Sequence, residues 1–334
     1  DGMEFVRHLG EAGVRVSIIL ASALERKLLA SIATMSEAYG INLLGVVEKP
    51  LTSAKLEPMI KLHKPAQAEG GRPETAGPTF TLEEIAAGLK NDEFEPFFQP
   101  KVELATGRVK GAEALARWRH PQHGIVAPHA FIETLEDNGR IDELAWVMLG
   151  KAAAFCSTWR LAGLEATVSV NLSLNSLTDI QLAERVTELV VSQNLEPRQM
   201  VLELTESAAT TDVGKALENL ARLRMKGFGL SIDDYGTGYS SMQQLTRIAF
   251  TELKIDQSFV TNAAKQESAK VILESSLDMA KKLNITAVAE GVETQADWNL
   301  LRQLGCSLAQ GYFIARPMEA RAYLKWVRGW KQSA

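Results

Sequence analysis

Along the chain, apolar and polar positions fall into short runs whose period switches between two and about 3.6, the marks of strand and helix. The first apolar run, VSIILAS (16–22), predicts a fully buried strand, and INLLGVVEKP (41–50) predicts a second, with a helical stretch between them. Strand, helix, strand is a parallel α/β unit, because parallel neighbours need a long crossover. Two strands are too few for an independent sheet, so this piece is expected to be the back half of a larger α/β fold. The pattern then lapses over 63–79, HKPAQAEGGRPETAGPT, which has three prolines, three glycines and almost no large apolar residue. It reads as a linker. The expected divisions are 1–62, a linker at 63–80, and a large piece at 81–334.

In the large piece, strand-like runs occur at FFQPKV (97–102), RVKGAEALARW (108–118), TVSVNLS (167–173), MVLELTE (200–206), GLSIDD (229–234), TELKID (251–256), ITAVAEG (285–291) and SLAQGYFI (307–314). Helical patterns such as LAERVTELVVSQ, VGKALENLARLRMKG and AKVILESSLDMAKKLN fill most intervals. Eight strands alternating with helices over roughly 250 residues is the size of one (β/α)8 barrel. The first two runs, however, are joined only by ELATG, a hairpin-length loop. Strand one should therefore run antiparallel to strand two. The predicted fold class is α/β: a modified (β/α)8 TIM-like barrel with an antiparallel first strand, preceded by a partial α/β domain. A doubly wound open sheet is the alternative.

Polar residues sit within or at the end of these runs: Glu113, Asn171, Glu203, Asp233 with Asp234, Lys254 with Asp256, Glu290 and Gln310. In a barrel such strand ends converge on one mouth. A single acid at a strand end is accounted for by helix capping, and that reading is preferred for Asp256, Ser173 and Thr205. Four strands bearing an acid at one level are not accounted for in this way. Glu113, Glu203, Asp233, Asp234 and Glu290 would place five carboxylates together, with Lys254 as the single compensating charge. Carboxylates this crowded raise one another's pKa and are relieved by protons or cations. The donors are all oxygen, and the five histidines (8, 63, 120, 123 and 129) lie outside these strand ends. Hard ions, Mg²⁺ or Mn²⁺, suit such a set, with Ca²⁺ expected to bind without supporting turnover. The number of acids suggests two ions, which at roughly 3.5–4 Å separation clamp the attacking and leaving oxygens of a phosphoryl displacement. A strand ending at Asp233 would let the following turn, GTGYSS, redirect Asp234 toward the second ion.

At this point the large piece resembles the EAL-type cyclic di-GMP phosphodiesterases. The resemblance runs from 81 to 330 through FQPKV (98–102), GAEALARWRHP (111–121), VNLS (170–173), ELTES (203–207), DDYGTGYSS (233–241), LKID (253–256), AEGVE (289–293) and QGYFIARP (310–317), with Glu113-Ala114-Leu115 as the eponymous tripeptide. Tyr235 stands where that family commonly has phenylalanine. The resemblance implies that Glu113, Asn171, Glu203 and Asp233 hold metal, with Asp234 and Glu290 at the second ion or its water. It implies that Lys254 orients the nucleophilic water, with Glu290 the candidate general base and Gln310 beside it. Gln99, Leu115, Arg117 and Tyr312 would contact the nucleotide, Arg117 through a phosphate. Glu206 would anchor the 234–241 loop and Glu293 would steady the metal region. The implied reaction is hydrolysis of cyclic di-GMP to linear pGpG, and the implied assembly is a dimer or higher homo-oligomer. A binding module that keeps the pocket without catalysis is the alternative, and a Mg²⁺ lyase of enolase type is a remoter one.

The front piece resembles the C-terminal half of a response-regulator receiver domain: DGMEF, Ser22-Ala23 after one strand, and Lys49-Pro50 after the next. In that family the Ser hydroxyl and Lys amine contact a phospho-aspartate, which would precede residue 1. A sensor histidine kinase is then the implied partner.

Composition narrows the setting. The 334 residues are 46% hydrophobic and carry a net charge of −5, which disfavours a duplex nucleic-acid partner. Cys156 and Cys306 fit no metal spacing, and a reducing compartment is expected. No apolar run approaches membrane-spanning length, and the start is no signal peptide. The expectation is a cytoplasmic protein without a membrane segment.

Overall fold

The computed structural model describes residues 5, 8–9, 17–22, 42–48, 51–60, 78–173, 175–205, 213–235, 245, 247–264 and 266–330. The chain divides into two compact units, Asp1–Thr75 and Ala76–Ala334. In the first, β1 (Ser17–Ser22) pairs in parallel with β2 (Asn42–Glu48), followed by the helix Ser53–Ile60. Parallel pairing is what the strand–helix–strand pattern requires. The side chain of Ser22 and residues Ala23, Lys49 and Pro50, which carry the receiver resemblance, lie outside the described residues.

The second unit is a closed barrel of eight strands. They are β3 (Phe94–Glu103), β4 (Val109–His120), β6 (Thr167–Asn171), β7 (Met200–Thr205), β8 (Gly229–Tyr235), β9 (Glu252–Ile255), β10 (Thr286–Ala289) and β11 (Leu308–Ala309). β3 is antiparallel to β4 on one side and to β11 on the other, and every other barrel pairing is parallel. The short ELATG connection thus has the predicted consequence: a hairpin, not a crossover. Two short outliers, β5 (Gly124–Val126) and β12 (Met318–Glu319), pair with β4 and β3.

Most strand ends shift by one to three residues from the pattern reading, and three strands are notable. β4 continues past Trp118 to His120, whose ring packs on Phe80 and Trp118. β8 does not stop at Asp233 but runs to Tyr235, and its pairing with β9 slips by one residue between Ile232 and Tyr235. β11 is only two residues long, not the predicted 307–314, and the chain turns after Ala309. That turn is enforced sterically: a Cβ on Gly311 would lie 2.2 Å from the Val292 carbonyl oxygen and 2.3 Å from its nitrogen. The two backbones touch, which only glycine permits.

Strand alternation separates two interiors. Outward positions such as Phe98, Val102, Val168, Leu202, Leu230, Ile232 and Ile255 are buried against the helices. The packing is strongly aromatic around the helix Ile141–Leu161: the Trp159 ring lies 4.6 Å from Phe98 and 4.3 Å from Tyr323, whose hydroxyl donates to the Gly111 carbonyl at 2.9 Å. The buried alternate positions include Gln99, Lys101, Glu113, Ser169, Glu203, Ser231, Glu252 and Lys254. Barrel interiors of this class are usually filled by Val, Ile and Leu, so this one is chemically unusual.

If the outer apolar shell carries the stability, Trp159→Ala should lower the unfolding free energy of the barrel by about 3–5 kcal/mol. Urea titration of the variant against the parent measures this.

Candidate active site

The polar residues of the strands meet around one nitrogen. Lys254 Nζ, on β9, lies 2.9 Å from Asp233 Oδ1, 2.9 Å from Glu290 Oε1, 3.0 Å from Glu203 Oε2 and 3.3 Å from Glu113 Oε1. The four carboxylates come from β8, the end of β10, β7 and β4. Register explains the convergence: Glu113 stands opposite Ser169, Asn171 opposite Glu203, and Thr205 opposite Asp233, so successive strands step each acid to one level. Oxygens of Glu113, Glu203 and Asp233 lie within 4.8 Å of one another. Three converging carboxylates with no nitrogen or sulfur donor are the ligand chemistry of a hard divalent cation. The residues present therefore fit Mg²⁺ or Mn²⁺.

Amide side chains frame the cluster. Gln310 Nε2 donates to Glu113 Oε2 at 2.5 Å and to Gln99 Oε1 at 3.1 Å, and Gln99 Nε2 donates to the Ala315 carbonyl at 3.2 Å. Gln310 Oε1 is buried with no hydrogen-bond partner among the described residues. Such an orphaned acceptor is costly unless a ligand or water meets it. Gly291, at φ 63°, allows the chain leaving Glu290 to pass Gln257, where a Cβ would approach to 2.3 Å.

Two cavities open onto the cluster and share Leu115 and Asp233. One, of about 340 Å³, is lined by Gln99, Glu113, Lys254, Glu290, Glu293, Gln310 and Tyr312 among others. The other, of about 690 Å³, is largely apolar, with Ile132, Leu144, Met148 and Val170 beside Asn171. Asn171, Leu115, Glu293 and Tyr312 are thus brought to the site. Arg117 is not on either lining: its Nη1 donates to the Ala116 carbonyl at 2.8 Å and its guanidinium sits 5.8 Å from the Phe97 ring. The Asp234 side chain, Glu206 and the loop 236–244 lie outside the described residues. The slip in β8 does bear on the paired aspartates. One extra residue at Asp233–Asp234 is a bulge, which breaks strict alternation without ending the strand. Asp256 caps the helix Gln257–Asn262 by accepting from Ser258 N at 2.9 Å, as expected of it. Tyr235 is buried, with its hydroxyl 3.5 Å from Met279 Sδ.

Lys254 is not the only compensating charge. Lys101, on β3, is equally buried and lies 2.9 Å from Glu203 Oε1 and 2.5 Å from Glu252 Oε1. Pattern reading passed over both residues, although alternation places Lys101 on the face of Gln99 and Glu252 on the face of Lys254. Electrostatics follow from burial and neighbours. Burial, reinforced by Glu203, pushes the Glu113 carboxyl up to about 8 against the pull of Lys254. Burial likewise lifts Glu290 to about 7 despite Lys254. Burial also acts to raise Glu203, but Lys101 and Lys254 outweigh it and hold the group at about 2. For Lys254, burial is overcome by Glu113, Glu203, Glu290 and Asp233, and its ammonium stays charged.

The chain belongs to the EAL-domain family, whose profile matches residues 82–317. Over 329 residues it is 33% identical to the cyclic di-GMP phosphodiesterase RocR of Pseudomonas aeruginosa, a match covering 98% of this chain and 84% of that protein. The solved structure of the PaMucR phosphodiesterase in complex with c-di-GMP is 36% identical and aligns with a TM-score of 0.69, covering 72% of this chain and 98% of the other. The EAL enzyme Bd1971 in its cAMP- and cyclic-di-GMP-bound form aligns at 0.70 with 31% identity, covering 73% and 67%.

The raised carboxyls set a pH dependence. Their protonated forms stabilise the cation-free fold, a contribution complete below 4.5 and lost as pH rises through about 7 for Glu290 and about 8 for Glu113. A cation requires the ionised forms. Its uptake should therefore release protons and tighten with rising pH, most steeply below about pH 6 where both groups are protonated, less steeply through about 7 and 8, and flatten near about pH 9. Mn²⁺ calorimetry in two buffers of different ionisation enthalpy measures the release.

Proposed function

We propose that this chain hydrolyses cyclic di-GMP to the linear dinucleotide pGpG. The observation that carries the reading is the convergence of Glu113, Glu203, Asp233 and Glu290 on Lys254 at the mouth of the barrel. The names borne by its relatives support the same substrate. Among the described residues no helix is long and apolar enough to cross a membrane.

Glu113, Asn171, Glu203 and Asp233 would hold one Mg²⁺ or Mn²⁺, and Asp234 and Glu290 would hold a second or its water. Bound there, the ions would supply Lewis-acid activation of water and would neutralise charge on the phosphodiester. Water attacks one phosphorus in line, the bond to the 3′ oxygen breaks, the leaving oxygen takes a proton from solvent to become the 3′ hydroxyl, and the ring opens. Lys254 orients that water and offsets the developing negative charge. Glu290, with a pKa near neutrality, is suited to take the water's proton. Gln99, Gln310, Leu115 and Tyr312 position the nucleotide. Arg117 engages a phosphate after leaving the Ala116 carbonyl. On the same reading Glu206 would anchor the loop at 234–241, and Glu293 would steady the metal region.

The front unit reads as the C-terminal half of a receiver domain that regulates the barrel and answers to a sensor histidine kinase. Its parallel strand pair supports this. Kinship with the EAL family further suggests a homo-oligomer, and the cysteine usage suggests a cytoplasmic one.

Incubation of the full chain with cyclic di-GMP and Mg²⁺ or Mn²⁺, followed by chromatography, should yield pGpG, with Ca²⁺ inhibiting. Glu113→Gln should lower kcat/KM at least about a hundredfold. Binding without cleavage in the parent would overturn the hydrolase in favour of a receptor.

A further inference from the structure

One layer deeper than the acid cluster, two residues toward the starts of β6 and β9, lies a second set of buried polar groups that none of these roles uses. Lys101 and Ser169 are each 1% exposed and Glu252 is 7% exposed. Lys101 Nζ lies 2.6 Å from Ser169 Oγ, 2.9 Å from Glu203 Oε1 and 2.5 Å from Glu252 Oε1. An ammonium has three N–H donors, and these three acceptors engage all of them. The lysine is held from three strands and has no freedom to turn.

The consequence falls on Glu203, which is fully buried and has its two oxygens divided between two lysines. Oε1 accepts from Lys101, and Oε2 accepts from Lys254 at 3.0 Å. Lys254 is also the partner of Glu113, Asp233 and Glu290, so Oε2 is the oxygen on the side of the cluster. The last torsion of a glutamate is broad and roughly two-fold. Tying down Oε1 leaves one orientation, with one oxygen presented to the mouth. A lysine serving only as the counter-ion of Glu252 would need no contact with Glu203.

We propose that Lys101 is a positioning residue for the reaction: it fixes the Glu203 carboxylate so that Oε2 faces the cation site, while Ser169 and Glu252 hold the ammonium in place. The proposal rests on Glu203 being a cation ligand.

The test uses the full chain and Mn²⁺ alone. In the double variant Lys101→Met, Glu252→Leu, a buried ion pair is replaced by apolar side chains of similar size, which is often neutral or stabilising. The variant should still fold, with a lowered melting temperature because buried Glu203 Oε1 loses its donor. Its Mn²⁺ dissociation constant, by calorimetry without nucleotide, should rise about tenfold or more. kcat should fall, with KM for cyclic di-GMP within about twofold of the parent. A purely structural Lys101–Glu252 pair predicts the reverse: a folded double variant with parental Mn²⁺ affinity and kcat, and that result overturns the proposal. Should the double variant not fold, Lys101→Gln, which keeps an amide donor but loses the charge, gives the reading. It must also weaken Mn²⁺ uptake, and parental uptake overturns the proposal. A parent that takes up no Mn²⁺ overturns the cation reading and this proposal with it, whereas parental uptake matched by the variants overturns this proposal alone.

Discussion

The structure is governed by the cost of burying like charges side by side. Four carboxylates surround the Lys254 ammonium inside a barrel whose outward-facing strand positions are packed with apolar side chains. In such a medium each carboxylate destabilises the ionised form of the next, and desolvation adds to the penalty. The protein answers unevenly. Glu203, touched by two lysines, remains ionised, whereas Glu113 and Glu290, which share only Lys254, retain protons toward neutral pH. This asymmetry separates an anionic anchor from groups that, on the proposed reading, would exchange protons for cations. Crowding that would be a defect in an ordinary core is relieved here by the buried lysines and by retained protons.

Backbone details hold the arrangement. The antiparallel β3 brings Gln99 opposite Glu113 in register, and the closure of β11 onto β3 brings Gln310 to the same carboxylate. The Gln310 segment reaches that point because Gly311 lies directly against the Val292 backbone. On the other side of the mouth, the bulge in β8 relaxes strand alternation at the one place where two aspartates follow each other. Each of these features sits beside a residue of the cluster, as expected where local regularity yields to site geometry.

Most of the architecture could be read from periodicity. The short ELATG loop implied the antiparallel strand, and the recurrence of acids at strand ends implied their convergence. Two kinds of information were out of reach. Strand alternation assigns Lys101 and Glu252 to inward faces but does not reveal that residues 151 positions apart share a hydrogen bond, because that depends on barrel closure and stagger. SLAQGYFI looks like a strand because its composition is apolar and aromatic. Its second half turns instead, since contact with Val292 overrides propensity. The same holds for Asp233–Asp234: adjacency in sequence suggested a strand end, but the ladder absorbs the pair through a slip in register.

An interior this polar leaves the fold to be stabilised elsewhere. Buried ion pairs contribute little net stability, because desolvation offsets most of the attraction, although removing one partner is severe. Lys101 and Lys254 with their carboxylates therefore specify geometry more than they add free energy. Stability resides on the other face of the same strands, where Phe98, Trp159 and Tyr323 interlock and the helices cover the sheet. Because alternation assigns successive residues to the two faces, the chemistry of one face can be changed without repacking the other. This separation is why a barrel can tolerate an electrostatically strained interior. It also explains why the strain is confined to residues two apart along each strand, the repeat that keeps a side chain facing the axis.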